Sequence, residues 1–258
     1  MGDVTVEHRG FVAIVTFCRP PVNATDEASW ADIASTFNQL AEDKDVRAVV
    51  LTACGDRAFM AGQDLRSDPW SREGKLPSAI VDPGRPVRDA MWAVYDCPVP
   101  VVAAVNGPAI GGGLAMVALC DIIIASEHAT FGATEINVGL LGASAQLSRL
   151  VGTHRAREMF FLGEIVPAAE LHRLGGVREV VPAATLMEAA MAVATTLADK
   201  SPIALRLAKE SMNRIEGMPM KEGYRLEQDY TNRLRGYEDS REARRAFLEK
   251  RRPDWGWR

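Results

Sequence analysis

Long apolar runs are missing from this 258-residue chain. None approaches the roughly 18 residues that a membrane-spanning helix needs, so no membrane segment is expected. Charge of one sign is also lacking: the net charge is −4 with 25% charged residues, which leaves no basic footprint for nucleic acid. Cysteine is scarce. Cys18, Cys54, Cys97 and Cys120 are scattered and form no C-x-x-C pair. His8, His128, His154 and His172 complete no metal-ligand spacing, so no metal site is expected. The cysteine pattern reads as reduced, mostly buried thiols in a cytoplasmic protein. The start, Met1-Gly2-Asp3-Val4, has no basic stretch followed by an apolar one, so no secretory leader is expected. Val6 stands where a myristoylation signal wants Ser or Thr.

What is present is ordinary globular sequence, 47% apolar. Residues 4–16 read as a hairpin, with Val4 and Val6, then Val12, Ile14 and Thr16, alternating around His8-Arg9-Gly10. Residues 26–43 read as a helix, because Trp30, Ile33, Phe37 and Leu40 make one stripe. Residues 47–52 read as a buried strand. Residues 66–89 hold Pro69, Gly74, Pro77, Pro83, Gly84 and Pro86 among many charges and read as a long loop, either a substrate lid or a surface excursion. A strand follows at 100–105, a helix at 111–120 and a strand at 122–125, the order of parallel α/β structure.

Beyond about Ala143 the chain reads as mostly helical. Thr185 with Glu188, and Asp239 with Glu242, have capping-box spacing. Ser201-Pro202 sets a capping residue before a proline at the first helical position. Helices are expected near 201–212, 220–234 and 240–250. A soft boundary near Thr196 divides a core, 1–195, from a helical tail, 196–258.

The sharpest motif is Asn106-Gly107-Pro108-Ala109-Ile110-Gly111-Gly112-Gly113-Leu114-Ala115, between a strand and a helix. Helix starts offer unpaired N–H groups, and glycines allow a ligand close to the backbone. The dinucleotide fingerprint fails because Met116 stands where its third glycine belongs. The phosphate-loop motif fails for want of Lys followed by Ser or Thr. On this stretch alone an oxyanion site and a plain tight turn both stay open.

A second stretch, Ala58-Phe59-Met60-Ala61-Gly62-Gln63-Asp64-Leu65, follows the strand at 47–52. With the triple glycine it resembles the crotonase superfamily, the enoyl-CoA hydratase/isomerase family. The resemblance runs almost end to end. It takes in Arg19-Pro20-Pro21-Val22-Asn23-Ala24, Cys120-Asp121-Ile122-Ile123-Ile124-Ala125, Phe131-Gly132 with Glu135 and Gly139, and Ala246-Phe247-Leu248-Glu249-Lys250-Arg251. It implies an α/β fold, a crotonase-like spiral of repeated β-β-α units with a C-terminal helical trimerisation region. It also implies an acyl-CoA substrate, with no cofactor beyond the coenzyme A of the thioester, and a homotrimer or homohexamer.

The resemblance assigns roles. The backbone N–H groups of Gln63 and Gly112 would hold the thioester oxygen as it becomes an enolate. One such donor is worth about 3 kcal/mol in comparable sites. A helix dipole at Gly112 adds to it. Gln63 is unusual, since small residues are common there. Glu135 would move the proton. Ala61, Gly62, Asp64, Leu65, Gly111, Ala115 and Gly142 would line the substrate site. Arg19, Arg57 and Lys250 are candidates for the coenzyme A phosphates, Lys250 from a neighbouring subunit.

Two departures stand out. Family hydratases carry a second glutamate where this chain has Ala115. Adding water across a double bond suits two carboxylates; one suffices to shuttle a proton between carbons, as an isomerase does. Asp68, Glu73, Asp82 and Asp89 are candidates for a replacement acid. Downstream, Gly139-Leu140-Leu141-Gly142-Ala143-Ser144 replaces a stretch that often reads G-x-x-P-G-x. Ser144 lacks the G-x-S-x-G context of a serine hydrolase. The expected activity is thus isomerase-like or hydratase-like. Decarboxylation, thioester hydrolysis and non-catalytic acyl-CoA binding are alternatives. A nicotinamide dehydrogenase is disfavoured by the missing fingerprint.

Overall fold

The computed structural model describes residues 2–66, 82 and 84–258. Most of the 66–89 segment lies outside them, Asp68 and Glu73 included. The chain opens with β1 (Val4–Arg9) and β2 (Val12–Phe17), the expected hairpin. Helix α1 (Glu27–Glu42) follows, capped by Asp26, whose carboxylate accepts the Ser29 N–H. It buries Trp30, Ile33, Phe37 and Leu40, the stripe legible in the sequence. Then come β3 (Ala48–Ala53), α2 (Arg85–Tyr95) and β4 (Val101–Val105). Residues 85–89, read above as loop, are the first turns of α2, with Pro86 near the start, where its missing N–H costs nothing.

Two short strands alternate with the longer ones. They are β5 (Ala109–Ile110), before α3 (Gly112–Ala118), and β7 (Thr130–Gly132), after β6 (Ile122–Ser126). A 3-10 turn, Glu135–Val138, leads into α4 (Ser144–Val151) and α5 (Thr153–Leu162). After them come β8 (Ile165–Pro167), α6 (Ala168–Arg173), β9 (Glu179–Val181), a 3-10 turn at Ala183–Thr185 and α7 (Leu186–Ala198). The helical tail is α8 (Pro202–Ile215), α9 (Met220–Arg235) and α10 (Glu238–Leu248). β8 and β9 interrupt a stretch that reads as helical in sequence.

The larger sheet has the order β1-β2-β3-β4-β6-β9, parallel except for the β1–β2 hairpin. The smaller is β5-β7-β8, and an isolated bridge pairs Met60 with Ala109 beside it. β3 (through the Met60 bridge), β4 and β6 thus each hand the chain to the smaller sheet before a helix follows. This is the expected spiral of β-β-α units.

Both faces of the larger sheet are covered. Val49, Leu51, Val101, Ala103 and Val105 face the main core with α1 to α5, while Ala48, Val50, Val102 and Ala104 face α7. That is why the strands are continuously apolar rather than alternating. Helix α7 runs across Thr196, so the 195/196 boundary falls within a helix that packs on the sheet. A separate small cluster, Ile203, Leu207 and Tyr230, belongs to the tail. The tail is tied to the core by Lys209, whose buried ammonium sits 2.7 Å from Asp121 and 3.1 Å from the Val99 carbonyl.

Three expectations are corrected. Cys18 and Cys54 form a disulfide, joining the ends of β2 and β3; Cys97 and Cys120 are free and buried. Asp239 does not cap α10. The helix begins one residue earlier, and the buried Asp239 instead accepts the Gly256 N–H at 2.9 Å. Thr185 precedes α7 without a side-chain cap bond, whereas Ser201 caps α8 as expected.

Candidate active site

The two motif stretches are stitched to one another by backbone. The Phe59 and Met60 N–H groups donate to the Pro108 carbonyl, and Ile110 N–H donates to Met60 O. From the other side, Ala61 N–H donates to Val22 O, Thr25 N–H to Gly62 O and Asp64 N–H to Thr25 O. Asn23 anchors this crossing. It is 3% exposed, and its Nδ2 donates to the carbonyls of Cys54 and Ala58 at 2.9 and 2.8 Å. Its Oδ1 accepts the Arg19 N–H. The Arg-Pro-Pro-Val-Asn-Ala element is therefore the clamp that fixes the 54–63 segment.

Glycine is required where the strands of this crossing touch. A Cβ on Gly113 would lie 2.2 Å from the Met60 carbonyl oxygen, a collision of backbone with backbone. Gly62 has φ +84°, and a Cβ there would lie 2.9 Å from the Ile110 oxygen and 3.5 Å from the Gly112 nitrogen. These contacts bring the residue before Gln63 against Gly112. The Gly112 N–H, at the first position of α3, has no acceptor among the described residues. Ala61, Gly62, Gln63, Gly111 and Gly112 thus meet at one place.

Glu135 stands over it. The Glu135–Val138 turn and the αL residue Gly139 deliver its carboxylate between two glycines. A Cβ on Gly111 would be 3.3 Å from Glu135 Oε1, and one on Gly142 would be 3.0 Å from the same oxygen. A side chain at either position would crowd the carboxylate and push it by a few tenths of an ångström. Glu135 Oε2 is buried without a hydrogen-bond partner among the described residues. Burial pushes the carboxyl above its ordinary range. Ala115, one turn along α3, is buried in the main core, so that position offers only a methyl group.

Other sequence candidates are placed differently. The Arg19 guanidinium is held by Asp26 at 2.8 Å, Asp64 at 3.4 Å and Asp3 at 3.7 Å, with the Ala24 carbonyl at 2.7 Å. This cluster of three carboxylates shares its charge and ties the Arg19 segment to α1 and Asp64. Asp64 is buried and also binds Arg66, whose guanidinium hydrogen bond holds the carboxyl far below the usual range. Leu65 and Arg57 are exposed. Lys250 lies at the exit of α10, which packs on α9 within one chain. Arg251 beside it pairs with Glu242 and Glu249, so the closing motif braces the tail. Asp82 pairs with Arg88 and Asp89 with Arg85, all exposed, which marks them as surface pairs.

Sequence reasoning missed one resident of the site. Trp30, 2% exposed, lies against Gly112: a Cβ on that glycine would be 3.3 Å from the indole Cη2 and Cζ2. Its Nε1–H donates to Gln63 Oε1 at 3.1 Å. In sequence it was indistinguishable from the other stripe residues of α1. Ala143 was read only as a lost glycine. It has φ +57°, which explains why glycine suits that position.

Known proteins resemble this chain along almost its whole length. The profile of the family described as enoyl-CoA hydratase/isomerase matches residues 7–258. A (7aS)-7a-methyl-1,5-dioxo-2,3,5,6,7,7a-hexahydro-1H-indene-carboxyl-CoA hydrolase of Mycobacterium tuberculosis is 43% identical, over 95% of this chain and 98% of the relative. A protein of the same name from Rhodococcus jostii is 38% identical, over 98% of this chain and 96% of the relative. The crystal structure of an enoyl-CoA hydratase from Mycobacterium smegmatis superposes with a TM-score of 0.91 at 33% identity, covering 99% of both chains.

Proposed function

This chain belongs to the enoyl-CoA hydratase/isomerase family, and on that premise we propose that it hydrolyses a carbon–carbon bond in an oxo-substituted, ring-bearing acyl-CoA. Processing of an acyl-CoA thioester is the family's common ground; the choice of reaction is our own reading. The observation that carries it is Glu135. Among the described residues one half-buried carboxylate, with a buried oxygen that finds no partner among them, faces a site where Ala115 stands in place of the family's second glutamate.

One carboxylate suffices for this reaction. The thioester oxygen sits between the N–H groups of Gln63 and Gly112. Glu135 takes a proton from water as the water adds to a ketone carbon β to the thioester. The bond from that carbon to C2 then breaks. Its electron pair moves onto the thioester as an enolate, held by the two N–H groups. Glu135 returns its proton to C2. One water is consumed, one carboxylic acid appears, and the coenzyme A ester stays intact. The same group serves first as base and then as acid, which a raised pKa suits. The two relatives named as hydrolases of a dioxo-indene carboxyl-CoA support the substrate class.

A second reading, double-bond isomerisation, is favoured by the same lone carboxylate, which can carry one proton between carbons. In both, coenzyme A is part of the substrate and no separate cofactor takes part. The working protein is proposed to be a cytoplasmic homotrimer or homohexamer, because coenzyme A thioesters are intracellular and the tail exposes large apolar side chains.

The test is a product analysis on cyclic β-oxo, 2-enoyl and 3-enoyl thioesters. The proposal expects a cyclic β-oxo thioester to gain one water, with a new carboxylate and no free coenzyme A. Free coenzyme A would mark a thioesterase. Double-bond migration at constant mass would mark an isomerase. Either result alone would overturn the hydrolytic reading.

A further inference from the structure

We infer that Trp30 is a positioning residue that locks both oxyanion donors into one unit, through the side chain of Gln63 and the backbone of Gly112. The inference deepens the enolate reading of this site and rests on it.

Gln63 and Gly112 come from segments about fifty positions apart, and their N–H groups must converge on one oxygen. Trp30 touches both. Its indole edge packs on Gly112, and its Nε1–H donates to Gln63 Oε1 at 3.1 Å. The tryptophan is 2% exposed on α1, a helix anchored at its start by Asp26 and packed along α2. A buried indole N–H needs an acceptor, and here the oxyanion residue itself supplies it.

The bond removes rotamer freedom from Gln63 and so restrains the backbone amide on the same residue. It also gives the unusual glutamine a reason. A small residue, common at that position, would leave the Trp30 N–H unsatisfied in the core. Trp30 and Gln63 are therefore a matched pair. The indole edge limits how far the Gly112 amide can retreat, because side chains packed at interior density leave no gap to move into.

The test measures deuterium exchange at C2 of butyryl-CoA in heavy water, with binding of the same thioester measured by calorimetry. Trp30→Phe, Gln63→Met and the double variant are compared with wild type, and melting curves verify folding. Trp30→Phe is expected to slow exchange at saturation by about 10-fold, the size of one hydrogen bond. The dissociation constant should stay within about two-fold, since loosened donors act on the enolate more than on the ground state. The double variant should exchange about as fast as Trp30→Phe alone.

Unchanged exchange in Trp30→Phe, or losses that multiply in the double variant, would overturn the inference. A merely structural role would lower melting and binding together and leave the ratio of exchange to binding unmoved. If Trp30→Phe does not fold, Gln63→Met alone decides: wild-type exchange there overturns the inference. Absence of exchange in wild type itself would sink the enolate reading, a separate failure seen before any variant is compared.

Discussion

Glu135 is held in a state that suits chemistry and strains stability. Burial disfavours its charged form, so its folded pKa stands above the ordinary 4.5. For catalysis the ionised form must act first, so turnover should rise with pH through that raised value. The acid limb of the rate profile is expected above 4.5. For stability the sign is opposite. The penalty is present above the folded pKa and is relieved as pH falls through it toward the unfolded value. Glu135→Gln removes the charge at neutral pH and is expected to raise the melting temperature while abolishing activity; a lower melting temperature would contradict this. Ala143 carries a second strain. Its positive φ costs an alanine about 1 kcal/mol, so Ala143→Gly should stabilise by about that amount in denaturant titration. That Gln63, Gly112 and Glu135 gather at one place was legible through the family resemblance, which pairs the two glycine stretches and the Phe-Gly-x-x-Glu segment. Trp30 was not, because its partners are tertiary neighbours and a helical stripe marks only which face is buried.

At the scale of elements, apolar period and turn chemistry gave the long pieces. The hairpin, α1, β3, β4 and β6 stand where those patterns put them. β5, β7, β8 and β9 escaped because two or three residues carry no measurable period, and their pairing comes from the spiral. The cap assigned to Asp239 failed because the carboxylate found a better donor in the Gly256 backbone, a contact made only once the tail folds back. The Asn23 clamp makes a prediction for the 54–63 segment. Asn23→Ala leaves the Cys54 and Ala58 carbonyls without their donor, and should cost about 3 kcal/mol of stability. It should also slow turnover, because the loop that presents Gln63 loses its anchor. A stable variant with normal turnover would show that the backbone ladder holds the loop alone.

At the scale of the whole molecule, the core is buried within one chain while the tail carries exposed apolar side chains. No described helix is long and apolar enough to cross a membrane. Yet Phe247 and Leu248 on α10 are 82% and 79% exposed, and Met220 on α9 is 89% exposed. If these side chains form one patch, a neighbouring subunit is the expected cover. Sedimentation should find an oligomer, and Phe247→Asp with Leu248→Asp should shift it toward monomer; an unchanged mass would place the interface elsewhere. The overall spiral was legible through the family resemblance. The disulfide was not, because Cys18 and Cys54 lie 36 positions apart and only the parallel pairing of β2 with β3 brings them together.

The most direct measurement is exchange at C2 in heavy water, wild type against Glu135→Gln, followed by NMR on one thioester that both bind. The account predicts exchange by wild type, lost by at least about 100-fold in the variant with binding retained, as removal of a general base requires. Equal exchange in the two proteins would contradict it and move the proton transfer to another group.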